Sequence, residues 1–107
     1  MPRKEDIRLV FQRRLKQARL ERQLSQKSLG VEAGLDPFVA ATRVNRYEKG
    51  VHEPDLATVD RLAAALNVPA AYLLAKDERL ARMILAFEKL STDDKDHLLK
   101  TAEKGES

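Results

Sequence analysis

At 107 residues the chain is one small domain with at most a short appendage. It is 43% hydrophobic and 35% charged, and with three Phe, two Tyr and no Trp its modest core must be built from Leu, Ile, Val and Ala. Cysteine is absent, which excludes disulfides, thiol catalysis and thiolate metal sites.

The net charge of +3 is unevenly spread: residues 1–50 hold 12 Lys/Arg against 6 Asp/Glu, whereas residues 51–107 hold 8 against 11. A basic half (+6) followed by an acidic half (−3) is the pattern of a domain that turns one face to a polyanion. No apolar run approaches the roughly 18 residues of a membrane span. The start, MPRKEDIR, is charged and has no apolar h-region, so neither a signal peptide nor membrane association is expected, and the expected location is the cytoplasm.

In chain order, residues 1–5 are expected to fray. From Asp6 to about Arg22, Ile7, Phe11, Leu15 and Ala18 recur at helical spacing and predict a first helix. Arg8, Arg13, Arg14, Lys16, Arg19 and Arg22 occupy its remaining surface, where they either touch phosphates or form a solvated cationic face. Leu24–Gly50 then reads as two short helices with a turn between them. Ser25 caps the first, Gln26–Ala33, and Gly34 supplies the left-handed residue that stops it. Gly30, inside that helix, is expected to allow close approach of the next. A second start lies at Asp36–Pro37, where Asp can cap and Pro fits the first helical position. That helix runs to about Lys49 and ends on Gly50. Ala40, Val44 and Tyr47 form its inward stripe, while Thr42, Arg43, Asn45, Arg46 and Lys49 fall outside it. An outward face of forked cations and short polar groups suits a groove lined with hydrogen-bonding edges and phosphates.

After a loop at residues 51–54, Asp55 caps a helix whose stripe is Leu56, Val59, Leu62, Ala63 and Leu66, with Asn67 as its stop. Val68–Pro69 breaks the chain before a short helix over Ala70–Ala75. Residues 77–90 carry Leu80, Met83, Ile84, Phe87 and Leu90 on one face. Ser91 caps a last helix with Asp93 and Asp94 in its first turn and Leu98, Leu99 and Ala102 on its apolar side. Residues 104–107 are expected to fray.

Leu24-Ser25-Gln26, Leu29-Gly30, Gly34, Val44, Tyr47-Glu48, Gly50 and Pro54 together resemble the lambda-repressor-like (Xre-type) helix-turn-helix family, over roughly Phe11 to Leu74. The resemblance implies an all-α fold with a five-helix helix-turn-helix domain at residues 6–75; beyond Ala75 it stops, and the apolar faces there predict a two-helix C-terminal extension at residues 76–107. One departure is a spacing of sixteen between Gly34 and Gly50, where the family has about twelve. The four extra residues either lengthen the recognition helix from Pro37 or enlarge the turn so that the helix starts near Ala40. Phe38 and Val39, in the inserted stretch, either cover the turn as part of the core, the preferred reading, or touch thymine methyls.

By the resemblance, Ala41, Thr42 and Arg46 fall where the family reads base edges, and Gln26 falls where the first motif helix approaches the phosphate backbone. Residue chemistry adds Arg43 and Asn45 to the base-reading set, because Arg can pair with guanine and Asn with adenine. Lys27, Lys49, Arg14 and Arg19 complete the expected backbone contacts. The expected function is sequence-specific binding of double-stranded DNA by a bacterial or phage transcriptional regulator working as a homodimer, a repressor that occupies promoter DNA, with activation through contact with polymerase equally compatible with the sequence. Two amphipathic helices cannot bury both apolar faces on each other, so Leu80, Ile84, Phe87 and Leu98 are expected to meet a second copy; packing onto the same chain is the alternative. The competing functional reading is a protein-interaction module, such as an antitoxin or anti-repressor partner, gripping another protein through the C-terminal helices.

No enzyme, cofactor or metal site is expected. His52 and His97 have no nucleophile in a catalytic setting. Asp93, Asp94, Asp96 and His97 lack the spacing and glycine of a calcium loop, and helix-start charge accounts for them.

Overall fold

The structure, a computed structural model, describes residues 5–105; most of the terminal stretches expected to fray, 1–4 and 106–107, lie outside them. The described chain is all-helical, with helices α1 (Ile7–Glu21), α2 (Gln26–Glu32), α3 (Ala40–Lys49), α4 (Leu56–Leu66), a 3-10 helix (Ala70–Leu74), α5 (Glu78–Glu88) and α6 (Thr92–Glu103).

Side-chain oxygens start most of these elements. Asp6 accepts from the Arg8 amide, Ser25 from Ser28, Asp55 from Thr58, Asp77 from Arg79 and Leu80, and Ser91 from Asp94. Each satisfies amides that the helix itself cannot. The ends share one device as well. Gln23, Gly34, Gly50 and Asn67 take φ values of 59°, 87°, 76° and 58°, and the next residue's amide reaches back to a carbonyl of the last turn: Leu24 to Arg19, Leu35 to Gly30, Val51 to Arg46, Val68 to Ala63.

The core gathers Leu15 from α1, Leu29 from α2, Val44 from α3, Leu62 and Leu66 from α4, and Leu73 from the 3-10 helix, all essentially without exposure. Of the first stripe, Phe11, Leu15 and Ala18 are buried as expected and Val10 joins them fully buried, whereas Ile7, the first residue of α1, is 39% exposed. Helices α2 and α3 meet most intimately at Gly30. A Cβ there would sit 2.7 Å from the Ala40 Cβ, so only glycine permits this separation, as the helix-interior glycine led one to expect.

The extra residues enlarge the turn. Helix α3 begins at Ala40, and residues 37–39 form a turn in which Asp36 Oδ1 accepts from the Phe38 amide at 2.8 Å and the Asp36 carbonyl accepts from Val39 at 3.0 Å. Asp36 therefore closes an Asx-type turn instead of capping a helix that starts at Pro37, because Pro is equally at home as the second residue of a turn. The preferred core placement of the inserted apolar pair is also corrected: Phe38 is 96% exposed and Val39 39%.

Helix α5 leans on the body through Ala81, which is fully buried, and through half-buried Ile84 and Leu85. Helix α6 buries no residue and has no extensive packing partner among the other helices. The Lys95 ammonium lies 5.5 Å from the centre of the Phe87 ring, tying α6 to α5. The radius of gyration is 15.7 Å, against about 13 Å for a compact chain of this length; the excess reflects the projecting C-terminal pair.

Candidate nucleic-acid interface

The α2–turn–α3 unit is held to α1 by a buried polar node. Glu48, at the end of α3, has a side chain only 4% exposed and receives the fork of Arg19 from α1, Nε at 2.6 Å and Nη2 at 3.1 Å. The same carboxylate accepts from Gln26 Nε2, at the start of α2, at 3.1 Å. Arg19 Nη1 donates to the Leu24 carbonyl at 3.0 Å, which locks the link between α1 and α2. One carboxylate thus fixes three helices, and a bidentate, charge-assisted geometry gives it direction as well as strength. Arg61 adds a further clamp from α4 by donating to the Ala33 carbonyl at the end of α2.

With the inward stripe Ala40, Val44 and Tyr47 buried, the opposite face of α3 is presented outward. Thr42, Arg43, Arg46 and Lys49 are exposed, and Ala41 and Asn45 are half-exposed on its flanks. Among the described residues no carboxylate lies within ion-pair distance of Arg43, Arg46, Lys49 or Lys27. Lys27 is exposed on the first turn of α2, beside half-exposed Gln26. The structure therefore brings Ala41, Thr42, Arg43, Asn45, Arg46, Lys49, Gln26 and Lys27 onto the helix-turn-helix unit, with the cations uncommitted.

Two expected backbone contacts are corrected. Arg14 is fully buried: its Nε donates to the Ala75 carbonyl at 2.8 Å and Nη1 to Glu78 at 3.1 Å. Its guanidinium stacks 5.3 Å from the centre of the Tyr72 ring. Arg19 has a side chain 10% exposed and is consumed by Glu48 and Leu24. Neither cation can reach a phosphate from where it sits; both join helices together. Sequence reasoning missed the Arg19–Glu48 pair, whose partners are 29 residues apart. The one available signal was the Glu of the Tyr47-Glu48 pair, an acid on an otherwise cationic helix. The expected dimer residues separate. Leu80 is 52% exposed, Phe87 and Leu98 are half-buried, and Ile84 packs partly against the body.

Two short helices crossing tightly at a glycine, the second offering a rigid, acid-free, cationic outward face, define a DNA-reading helix-turn-helix domain. The helix-turn-helix family pattern matches residues 15–73, and the chain belongs to that family. It is 32% identical over 96 residues, 83% of this chain and 81% of the relative, to the cryptic phage CTXphi transcriptional repressor RstR of Vibrio cholerae. Its fold is similar to the crystal structure of the transcriptional regulator BswR, with a TM-score of 0.78, 40% identity, and coverage of 87% of this chain and 92% of that one. The chain is a DNA-binding transcriptional regulator of the lambda-repressor-like type, a non-enzymatic class, and the interaction-module alternative is not favoured. Among the described residues no helix is long and apolar enough to cross a membrane.

Proposed function

We propose that the chain is a cytoplasmic, homodimeric repressor that occupies operator DNA with residues 6–75 and pairs through residues 76–107. The observation that carries the reading is the outward face of α3, where Thr42, Arg43 and Arg46 are exposed and, among the described residues, no carboxylate lies within ion-pair distance of either arginine. Arg43 and Arg46 supply forks for guanine, Asn45 an amide for adenine, and Thr42 a methyl and hydroxyl, with Ala41 at the flank. Gln26, Lys27 and Lys49 approach the sugar-phosphate backbone and set register. Likeness to a phage repressor supports repression as the sign of control.

Dimerisation is supported by the projecting α5–α6 pair, in which Leu80, Met83 and Leu99 are each about half exposed (52%, 49% and 50%). Two copies paired there, through Leu80, Ile84, Phe87 and Leu98, would read half-sites about 34 Å apart. The test is fluorescence anisotropy at two salt concentrations, using a duplex from the DNA flanking the gene and a random-sequence pool. Arg46→Ala should lose about 10–100-fold on the specific duplex and much less on the pool. Sedimentation of Leu80→Glu should show a monomer with weakened operator binding. Absence of binding to either DNA at low salt would overturn the DNA-reading assignment, and a monomeric wild type at operator-binding concentrations would overturn the dimer.

A further inference from the structure

Phe38 is the most exposed large apolar side chain among the described residues, at 96%. A phenyl ring in water forgoes the burial that normally makes aromatic residues valuable, so its position calls for a physical reason. Its backbone is not loose. Asp36 holds the Phe38 amide through its carboxylate and the Val39 amide through its carbonyl, while the Val39 carbonyl accepts from Arg43 at 2.8 Å. Buried Leu35 and Ala40 anchor the turn on both sides. The ring is therefore displayed from a fixed platform at the mouth of α3.

Its setting selects among occupants. Phe38 stands in the turn two residues before Ala40, the first residue of α3, so the ring is displayed at the N-terminal end of the reading helix, ahead of Thr42 and Arg43. An apolar protein partner would need a contiguous apolar patch of a few hundred Å², whereas beside the ring in the turn stands Val39, itself 39% exposed, and the outward residues of α3 beyond it are Thr42 and Arg43. The one carboxylate in the turn, Asp36, is already engaged by the Phe38 amide. A small apolar feature leading into a helix face of forked cations matches the major groove, where the one apolar feature on a base edge is the C5-methyl of a pyrimidine.

We propose that Phe38 is a specificity-determining residue that packs on the C5-methyl of a thymine one or two base pairs from the pair faced by Thr42. The proposal rests on the DNA-reading assignment above, and its test separates the two. Wild-type protein selects duplexes from a random-sequence pool; in one enriched duplex each thymine of a half-site is then replaced singly by deoxyuridine, which removes only the methyl. At one position, one or two base pairs from that whose preference changes in Thr42→Ala, the replacement should weaken wild-type binding about fourfold, the worth of one buried carbon. The same replacement should leave Phe38→Ala unaffected, while Phe38→Ala melts at the wild-type temperature because the ring touches little. If every deoxyuridine duplex affects wild type and Phe38→Ala alike, or if Phe38→Ala merely weakens all duplexes equally, the Phe38 proposal is overturned and DNA reading stands. If wild type enriches no sequence, the DNA-reading assignment falls and takes this proposal with it.

Discussion

Replacing Glu48 by alanine should be the most damaging single change in the helix-turn-helix unit that leaves its apolar packing intact. The carboxylate is 4% exposed and bonded by Arg19 at 2.6 and 3.1 Å and by Gln26 at 3.1 Å. Its loss strands a guanidinium that is itself 10% exposed, with only the Leu24 carbonyl left as acceptor. Breaking a buried pair from one side costs about 3–5 kcal/mol, mostly the penalty of the orphaned charge. Domains of this size are stable by about 5–15 kcal/mol, so at least about a fifth of the total is at stake. In urea denaturation followed by circular dichroism, a slope of about 1.5 kcal/mol/M converts that loss into a midpoint lower by about 2–3 M. Removing both charges in an Arg19→Met, Glu48→Leu variant should recover most of the loss, because two apolar groups of similar volume leave nothing unpaired. A Glu48→Ala midpoint within about 0.5 M of wild type would refute the reasoning, since it would mean that water screens the pair.

Arg14→Ala should lower stability by about 2–4 kcal/mol, as loss of a large buried side chain does. It should leave the salt dependence of DNA binding unchanged, whereas Lys27→Ala should reduce the slope by about one; matched salt titrations check both. Gly30→Ala forces a methyl to 2.7 Å from the Ala40 Cβ and should cost about 1–3 kcal/mol in thermal or urea melts, with Ala40→Gly restoring part of it. Acid sensitivity is expected at two helix starts. The Asp55 carboxyl is held below its ordinary value of 3.8 by the Thr58 side chain and then by the Thr58 amide. Asp77 is held below it by the Arg79 side chain and then by the Leu80 and Arg79 amides. Depressed folded values mean that this stabilisation is complete above the unfolded value, declines as pH falls below about 3.8, and is gone once pH passes the lower folded values. Asp55→Asn with Asp77→Asn keeps the caps without a titrating group, so its melting temperature should fall less steeply toward acid than that of wild type.

Much of this architecture was legible because its signals are local. Ser25, Asp55 and Ser91 cap the helices that follow them, Gly34, Gly50 and Asn67 end the helices before them, and the stripe Ala40, Val44 and Tyr47 divides the two faces of α3. What escaped was decided at a distance. Arg14 and Arg19 look like any cation on a helix until Ala75 and Glu48, 61 and 29 residues onward, fold back to meet them. The start of α3 was ambiguous because Asp-Pro serves a turn as well as it serves a helix; Asp36 settled it by bonding the Phe38 amide. Phe38 ran against expectation because apolarity argues only for burial, and it says nothing about a side chain kept outside.

The division of α3 into an anchored face and a free one also bears on how such a regulator changes its target. Ala40, Val44, Tyr47 and Glu48 hold the helix in place, while Thr42, Arg43 and Arg46 project away from the body and hold nothing up. On the base-reading roles proposed for Thr42, Arg43 and Arg46, stability and target choice are written in different letters of the same ten-residue helix. Exposed substitutions of that kind typically shift stability by no more than about 0.5 kcal/mol, so a lineage can exchange one operator for another by single steps without passing through an unfolded intermediate.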